Sequence, residues 1–355
     1  MKKEIKIAGA GLSGLCAGIN LLKAGFKVVI FEKGSDSGLR FTNDFQGLAN
    51  WMTDGDILEF LEKMNIRTDF YASPVKQGIF LGPGSKNKSD FKSGKILLYL
   101  VKRGTTDGCL DASLKRQFLE EGGRIEFNTV VDLMDVDIIA TGPKKAKFRT
   151  LGYNFKTNLP DIVCEIMDND VAPKTYSYLL IREGRGTLGT VLIDRFDKHE
   201  ACLKKTIEIF EKEIGLAMEN GEKFGGFADF FLAETAIRGG KLCVGEAAGF
   251  LDILTGFGMF FALRSGHLAA KSIAENINYD KLWKKEFNDP IRASMVSRFL
   301  FEIVGNRGSR IIPGFITKNQ DNLLGMMKKG YASDWARKAA YPAANFFLRS
   351  RIKPA

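Results

Sequence analysis

A chain of 355 residues that is 45% hydrophobic can bury a large core, which excludes a disordered or fibrous protein and predicts two domains or one with a sizeable insertion. The five cysteines are scattered without a Cys-x-x-Cys pair, and no apolar run is long enough to span a membrane, which favours a cytoplasmic protein without a structural metal site. The net charge of +10 belongs to one segment, because residues 281–355 carry 15 Lys and Arg against 5 Asp and Glu.

The chain begins with a pattern typical of a dinucleotide-binding unit. A short apolar strand, Ile5 to Ala8, runs directly into Gly9-Ala10-Gly11-Leu12-Ser13-Gly14, and apolar residues at helical spacing follow. The first glycine allows a tight turn, the second lets the backbone approach a pyrophosphate, and the third lets the helix pack on the strand. A second apolar strand over 27–32 ends in Glu32, so we predict that the glycines cradle a pyrophosphate and that Glu32 accepts ribose hydroxyls.

Three later segments return to the same ligand. An apolar strand over 136–140 ends in Thr141-Gly142, where the backbone is expected to pass close to the adenine side. A strand over 241–244 runs into Gly245-Glu246, which we expect at the ribitol or pyrophosphate. Thr255-Gly256-Phe257-Gly258 then opens a long helix whose N-terminus can direct backbone donors at a ring that gains negative charge on reduction.

The domain organisation follows from these segments. We predict a discontinuous cofactor domain over 1–75, 95–150 and 235–280, and a substrate domain over 76–94 and 151–234. Within the substrate domain, 154–156, 162–166 and 178–181 alternate or run apolar as strands do, and such a sheet would form a roof over the cofactor. The basic region 281–355 is predicted to be helical, with breaks at Pro290, Pro313 and Pro342.

On these motifs the chain resembles the geranylgeranyl reductase family of FAD-dependent oxidoreductases, within the para-hydroxybenzoate hydroxylase-type flavoprotein fold. The resemblance covers roughly the first 280 residues. It implies an α/β fold with a Rossmann-like FAD-binding domain, an inserted antiparallel β-sheet substrate domain and a C-terminal helical region. Two departures stand out: Gly245-Glu246 replaces the family's usual Gly-Asp, and Asp252-Ile253 stands where a proline is usual.

The resemblance also implies a function and a set of site residues. The expected reaction is reduction of isolated C=C bonds in a geranylgeranyl-type isoprenoid lipid by hydride from reduced FAD, with NAD(P)H or a small redox protein as electron donor. The substrate-side candidates are Tyr178 and Arg185, and no metal is expected. The cofactor-binding candidates are Gly9, Gly11, Leu12, Ser13, Gly14, Glu32, Lys33, Arg40, Arg103, Thr141, Gly142, Gly245, Glu246, Gly256, Gly258 and Met259.

Two other readings of the chain remain open at this point. One is a flavin-dependent aromatic hydroxylase, monooxygenase or halogenase, although the halogenases' Trp-rich strand motif is replaced by Tyr176-Ser177-Tyr178 and Gly249 stands where aromatic hydroxylases typically have His. The other is a non-catalytic flavin-binding protein, suggested by Glu246 and the missing proline.

The basic C-terminal region predicts a partner. Large apolar groups alternate with its cations, as in Arg298-Phe299-Leu300-Phe301, which suits an anionic membrane surface better than nucleic acid. The alternative is an ordinary helix that packs apolar residues on a core and leaves its cations in water. We therefore expect a cytoplasmic protein that contacts the inner face of the membrane through 281–355, and the sequence leaves its oligomeric state open.

Overall fold

The computed structural model describes residues 4–85 and 88–353 of the chain. The predicted ranges also include residues 1–3, 86–87 and 354–355, which lie outside the described residues. The helices are α1 (Leu12–Lys23), α2 (Ile57–Lys63), α3 (Leu110–Glu120), α4 (His199–Ile214), α5 (Met259–Glu275), α6 (Tyr279–Lys318), α7 (Leu323–Gly330) and α8 (Trp335–Leu348). The strands are β1 (Glu4–Ala8), β2 (Lys27–Phe31), β3 (Asp44–Ala49), β4 (Ala72–Val75), β5 (Gln77–Leu81), β6 (Lys88–Lys92), β7 (Leu98–Arg103), β8 (Arg124–Glu126), β9 (Ile138–Ile139), β10 (Phe148–Lys156), β11 (Ile162–Ile166), β12 (Ser177–Arg182), β13 (Arg185–Leu192), β14 (Glu219–Ala228), β15 (Ile237–Arg238) and β16 (Lys241–Cys243).

The cofactor sheet is a mostly parallel sheet with the strand order β15-β16-β9-β1-β2-β8. Only β15 is antiparallel to its neighbour among the described strands. The strands of the cofactor sheet are apolar because the sheet is covered on both faces; Ile7 of β1 and Ile30 of β2, for example, are buried. The carboxyl ends of β1, β9 and β16 therefore meet at one edge, which is where ligands bind in open α/β sheets.

The second sheet is the predicted roof, with the strand order β14-β10-β13-β12-β11-β5-β6. All its pairings are antiparallel except that of β5 with β11. One face packs on α4 through a cluster that includes Cys164, Leu179, Leu188 and Phe210. A small antiparallel sheet, β3-β7-β4, lies between the two large sheets, since Phe45 in β3 donates its N–H to Thr187 Oγ1 in β13 at 3.0 Å.

The C-terminal region is helical, but its breaks differ from those predicted. Helix α6 runs through both Pro290 and Pro313, and α8 runs through Pro342. The irregular point is Gly305, whose φ of 48° and ψ of −139° bend α6. A proline removes one backbone hydrogen bond, and packing along a long helix can offset that local cost. The predicted proline breaks were therefore wrong, because tertiary packing overrode a local rule.

Candidate functional site

The glycine loop lies at the carboxyl end of β1 and leaves no room for side chains on two sides. Gly9 has a φ of 104°, and a Cβ there would lie 2.4 Å from the carbonyl oxygen of Ala140 in the turn after β9. A Cβ on Gly14 would lie 2.0 Å from the Gly9 carbonyl oxygen. By contrast, no described atom lies within 4 Å of the position that a Cβ would take on Gly11. The loop is thus tight against the protein and open where a ligand backbone would approach.

Two helices direct their N-termini into this region. Gly11 is the N-cap residue of α1 and Gly258 that of α5, and among the described residues neither N-terminus is capped by a side chain or carries an acid in its first turn. The helices pack closely because a Cβ on Gly266 of α5 would lie 2.2 Å from the Ser13 carbonyl oxygen. Their free N–H groups and positive dipole ends favour negatively charged ligand groups, such as a pyrophosphate or an electron-rich ring.

Glu32 ties the end of β2 to the glycine loop. Its carboxylate accepts the Ala10 N–H at 2.8 Å and the Gly34 N–H at 2.9 Å. The neighbouring candidate Lys33 is exposed. After β2 the carboxylate of Glu32 is therefore held by hydrogen bonds, and the ammonium group of Lys33 faces solvent. This position, one strand away from the glycine loop, is where the motif expects a ribose contact.

Arg40, Gly142 and Glu246 form a second group beside the loop. The Arg40 Nη1 atom lies 3.6 Å from Glu246 Oε1, and its Nη2 donates to the Phe227 carbonyl at 2.9 Å. Glu246 Oε2 also accepts the Asp229 N–H at 2.9 Å, and burial raises the pKa of this carboxyl although Arg40 opposes the shift. The extra methylene relative to Asp therefore lets Glu246 reach protein partners. Thr141, beside Gly142, is exposed.

Gly245 brings this group against α1. Its φ is 58°, and a Cβ there would lie 3.0 Å from Ser13 Oγ. Leu12, the first residue of α1, is buried beneath the loop. The structure therefore brings together candidates from β1, β9, β16 and α1, although they are more than two hundred residues apart at the extremes.

Arg103 stands at the end of β7, buried and fully engaged by its neighbours. Its Nε and Nη2 donate to Asp111 at 2.7 and 2.9 Å, and its guanidinium stacks 4.0 Å from the centre of the Phe41 ring. Bidentate pairing fixes a guanidinium plane more firmly than a single bond. The guanidinium of Arg103 is therefore held in one orientation.

The loop 252–258, which leads into α5, is held by residues that the sequence analysis did not select. Asp252 accepts the Leu254 N–H at 3.0 Å and the Tyr331 hydroxyl at 2.6 Å, and it also accepts the hydroxyls of Thr255 and Ser294. The acid that replaces the family's proline is thus the centre of a buried hydrogen-bond network. Gly256 within this loop needs its positive φ of 81°, and Met259 is buried just after it.

Arg298 also holds this loop, which corrects its assignment to a membrane-facing pattern. Only 1% of its surface is exposed, and it donates to the carbonyls of Ile253, Leu254 and Lys174. Burial lowers the pKa of its guanidinium to about 10, so it stays charged at neutral pH. The sequence pattern of cations and aromatic residues around Arg298 is the same for a buried arginine that bonds to backbone carbonyls as for one at the surface.

The loop 255–258 contacts the roof sheet through Tyr176. Tyr176, just before β12, donates its hydroxyl to the Thr255 carbonyl at 2.6 Å, and its ring centre lies 6.3 Å from that of Tyr178. Tyr178 therefore lies beside this contact. Arg185 lies away from this contact, exposed at the β12–β13 hairpin. Tyr178 pairs with Gly189 of β13, and Arg185 is four residues from Gly189, or about 13 Å along the strand. The structure does not bring the two substrate-side candidates together.

Comparisons with known proteins agree with this geometry. Residues 7–52 match a family described as an NAD(P)-binding Rossmann-like domain. The digeranylgeranylglycerophospholipid reductase of Methanococcus aeolicus is 21% identical over 338 residues, which cover 80% of this chain and 82% of that protein. Among solved structures, a geranylgeranyl bacteriochlorophyll reductase-like protein from Thermoplasma acidophilum superposes with a TM-score of 0.72 at 17% identity, covering 98% and 99% of the two chains. A flavin-dependent brominase gives a TM-score of 0.64 at 18% identity, covering 98% and 100%.

Fold and site together define the class: the chain has the α/β flavoprotein fold predicted from its sequence, with a Rossmann-like unit at residues 7–52. Its sequence and its fold are similar to those of proteins named as geranylgeranyl-type reductases, which confirms the resemblance drawn from its motifs. The brominase shares the fold, and at this identity the likeness carries no more than the fold. The open glycine loop and the two uncapped helix N-termini fit a flavin dinucleotide.

Proposed function

We propose that this protein binds FAD and reduces isolated C=C bonds of a geranylgeranyl-type lipid. The observation that carries the proposal is the wall of apolar and aromatic side chains that Phe80, Tyr176, Tyr178 and Phe257 form where the roof sheet meets the loop 255–258. A wall of this kind suits a hydrocarbon chain. The relatives named as lipid reductases support the same substrate class.

Different residues of the site would hold different parts of the cofactor. Gly9, Gly11 and Gly14 would admit the pyrophosphate to the N-terminus of α1, and Glu32 would accept the ribose hydroxyls after releasing the Ala10 N–H. The loop 255–258 and the N-terminus of α5 would face the ring. When bound, the reduced flavin supplies a hydride, and the protein places the alkene and excludes water.

The test is a measurement of mass under anaerobic conditions. The purified protein is reconstituted with FAD, reduced with dithionite, NADPH or NADH, and incubated with a geranylgeranyl lipid. A gain of two mass units for each reduced bond supports the proposal, and the choice of reductant identifies the donor class. A product that gains oxygen in air would assign the protein to the hydroxylases, and a halogenated product to the halogenases. A protein that holds FAD and leaves every substrate unchanged would favour a non-catalytic flavin binder.

We further propose that the C-terminal helices contact an anionic membrane surface. Eight of the thirteen exposed large apolar side chains among the described residues lie between positions 300 and 347, including Ile311 at 69% and Trp335 at 82% exposure. The longer region 281–355, which contains these side chains, carries the net charge of +10, so its surface combines apolar groups with cations. No helix in the described ranges has the length and apolar character needed to cross a bilayer.

Flotation with vesicles tests the membrane proposal. The protein is expected to float with phosphatidylglycerol vesicles at low salt and to be released at high salt, because exposed charges are screened. The variant Trp335→Ser with Phe346→Ser should float less, since both side chains are exposed on α8. Val130→Ser removes an equally exposed apolar group outside the region and should float like the wild type. Equal flotation of all three proteins would contradict the proposal.

A further inference from the structure

Glu165 is a carboxyl group in the middle of the roof sheet. It lies in β11, directly opposite Tyr178 of β12 on one side and Phe80 of β5 on the other. Its neighbours Cys164 and Ile166 face the cluster that packs on α4. Because side chains alternate along a strand, Glu165 projects from the opposite face, toward the cofactor domain.

That face of the sheet is turned toward the loop 255–258. Tyr176, which interacts electrostatically with Glu165, is hydrogen-bonded to the Thr255 carbonyl of the flavin-side loop. Phe80 packs against the same apolar cluster as Phe257 of that loop. Glu165 therefore lies between Tyr178 and Phe80 on the face of the sheet that is turned toward the loop 255–258, the side on which a substrate bound at that loop would lie.

The surroundings keep this carboxyl neutral. Glu165 keeps some accessible surface, and burial raises the pKa of its carboxyl to about 8. Within residues 4–85 and 88–353, no hydrogen bond or ion pair is recorded for its side chain. The titratable groups around it are Tyr176 and Tyr178 on its own face, Asp252 and Arg298 beyond Tyr176, Asp44 beyond Tyr178, and Lys88 and Asp90 of β6 on the opposite face.

We propose that Glu165 is the acid that delivers a proton to the substrate double bond, a role that rests on the proposed reductase function. The alkene accepts a hydride from the reduced flavin at one carbon and the Glu165 proton at the other, so its π bond is replaced by two C–H bonds. The flavin is left oxidised and Glu165 is left as a carboxylate, which regains its proton from water. A neutral acid suits this place, because an ionised carboxylate would be poorly tolerated beside a hydrocarbon chain.

The test compares Glu165→Gln with Glu222→Gln, which removes an exposed carboxyl from the edge strand β14. In infrared spectra of the protein without substrate, the wild type and Glu222→Gln should show a protonated carboxyl band that disappears as the pH is raised through about 8, and Glu165→Gln should lack it. With FAD content and melting temperature unchanged, kcat of Glu165→Gln should fall at least about 100-fold. Glu165→Asp should keep part of the activity and the alkaline decline of kcat.

The outcomes distinguish a failure of the proton-donor role of Glu165 from a failure of the reductase function. If the wild type reduces no prenyl lipid, the reductase function fails whatever Glu165 does. If the wild type is active and Glu165→Gln matches it in kcat and in pH profile, the proton-donor role alone is overturned. If Glu165→Gln does not fold, the Asp variant decides, because a proton donor shifted by one methylene must change kcat more than KM.

Discussion

Replacing Asp252 with Asn tests whether the buried network centred on this residue holds the flavin-side loop. Four donors converge on the Asp252 carboxylate: the Leu254 N–H and the hydroxyls of Thr255, Ser294 and Tyr331. Asparagine has one acceptor oxygen, so at least two donors lose their partner and face an amide NH₂. A hydrogen bond to a charged group contributes about 1.5 to 3 kcal/mol, so the expected loss of stability is about 3 to 6 kcal/mol.

Urea unfolding of the flavin-free protein, followed by tryptophan fluorescence, measures this loss. Tyr331→Phe removes a single donor and should cost less, about 1 to 2 kcal/mol, because three donors still satisfy the carboxylate. Asp321→Asn removes an exposed acid from the same region and should stay within about 0.5 kcal/mol of the wild type. The reasoning is refuted if Asp252→Asn unfolds at the wild-type urea midpoint, or if Tyr331→Phe costs as much as Asp252→Asn.

One further change tests the cofactor edge, and another tests His267, a largely buried histidine in the middle of α5 whose ring contacts Asn20 of α1. Glu32→Ala should weaken FAD retention by about 1.5 to 3 kcal/mol, or roughly 10- to 150-fold in Kd by fluorescence titration, whereas Glu59→Ala at an exposed position should not; unchanged Kd would remove the ribose assignment. Burial lowers the pKa of His267 to about 4 from an ordinary value of 6.5. Between these two pH values the unfolded chain binds a proton at this side chain and the folded chain does not. The free energy of unfolding should therefore fall as the pH drops from 6.5 toward 4. His267→Gln should flatten that part of the pH–stability curve in urea titrations, and an unchanged slope would show that other groups cause it.

The cofactor edge was predictable because its signals are local. A strand, three glycines and a helix lie within about twenty residues, and each has a separate steric reason at its position. The roof strands were predictable for a similar reason, since 162–166 and 178–181 carry their apolar residues at strand spacing and lie in β11 and β12. The candidate roles of these residues in binding stay predictions.

The Asp252 network could not be predicted, because its partners are distant in the sequence. Ser294 is 42 residues and Tyr331 is 79 residues from Asp252. No pattern in a single sequence pairs one acid with these two hydroxyls. The role of Glu165 could not be predicted for another reason. The sequence shows a single acid in an apolar strand, and only the sheet order shows that its side chain is on the face turned toward the cofactor domain.

The C-terminal region shows why one segment can carry two unrelated signals. On α6, Ser294 and Arg298 are buried against the loop 252–258, whereas Ile303 and Ile311 are exposed. The same helix therefore anchors the flavin-side loop with one face and offers apolar groups to solvent with another. Deleting residues 281–355 would remove both features at once, so the inactivity of a truncated protein could not be attributed to lost membrane contact. Substitutions at Trp335 and Phe346 leave Ser294, Arg298 and Tyr331 in place, and only such substitutions can show whether lipid binding contributes to the reaction separately from the loop.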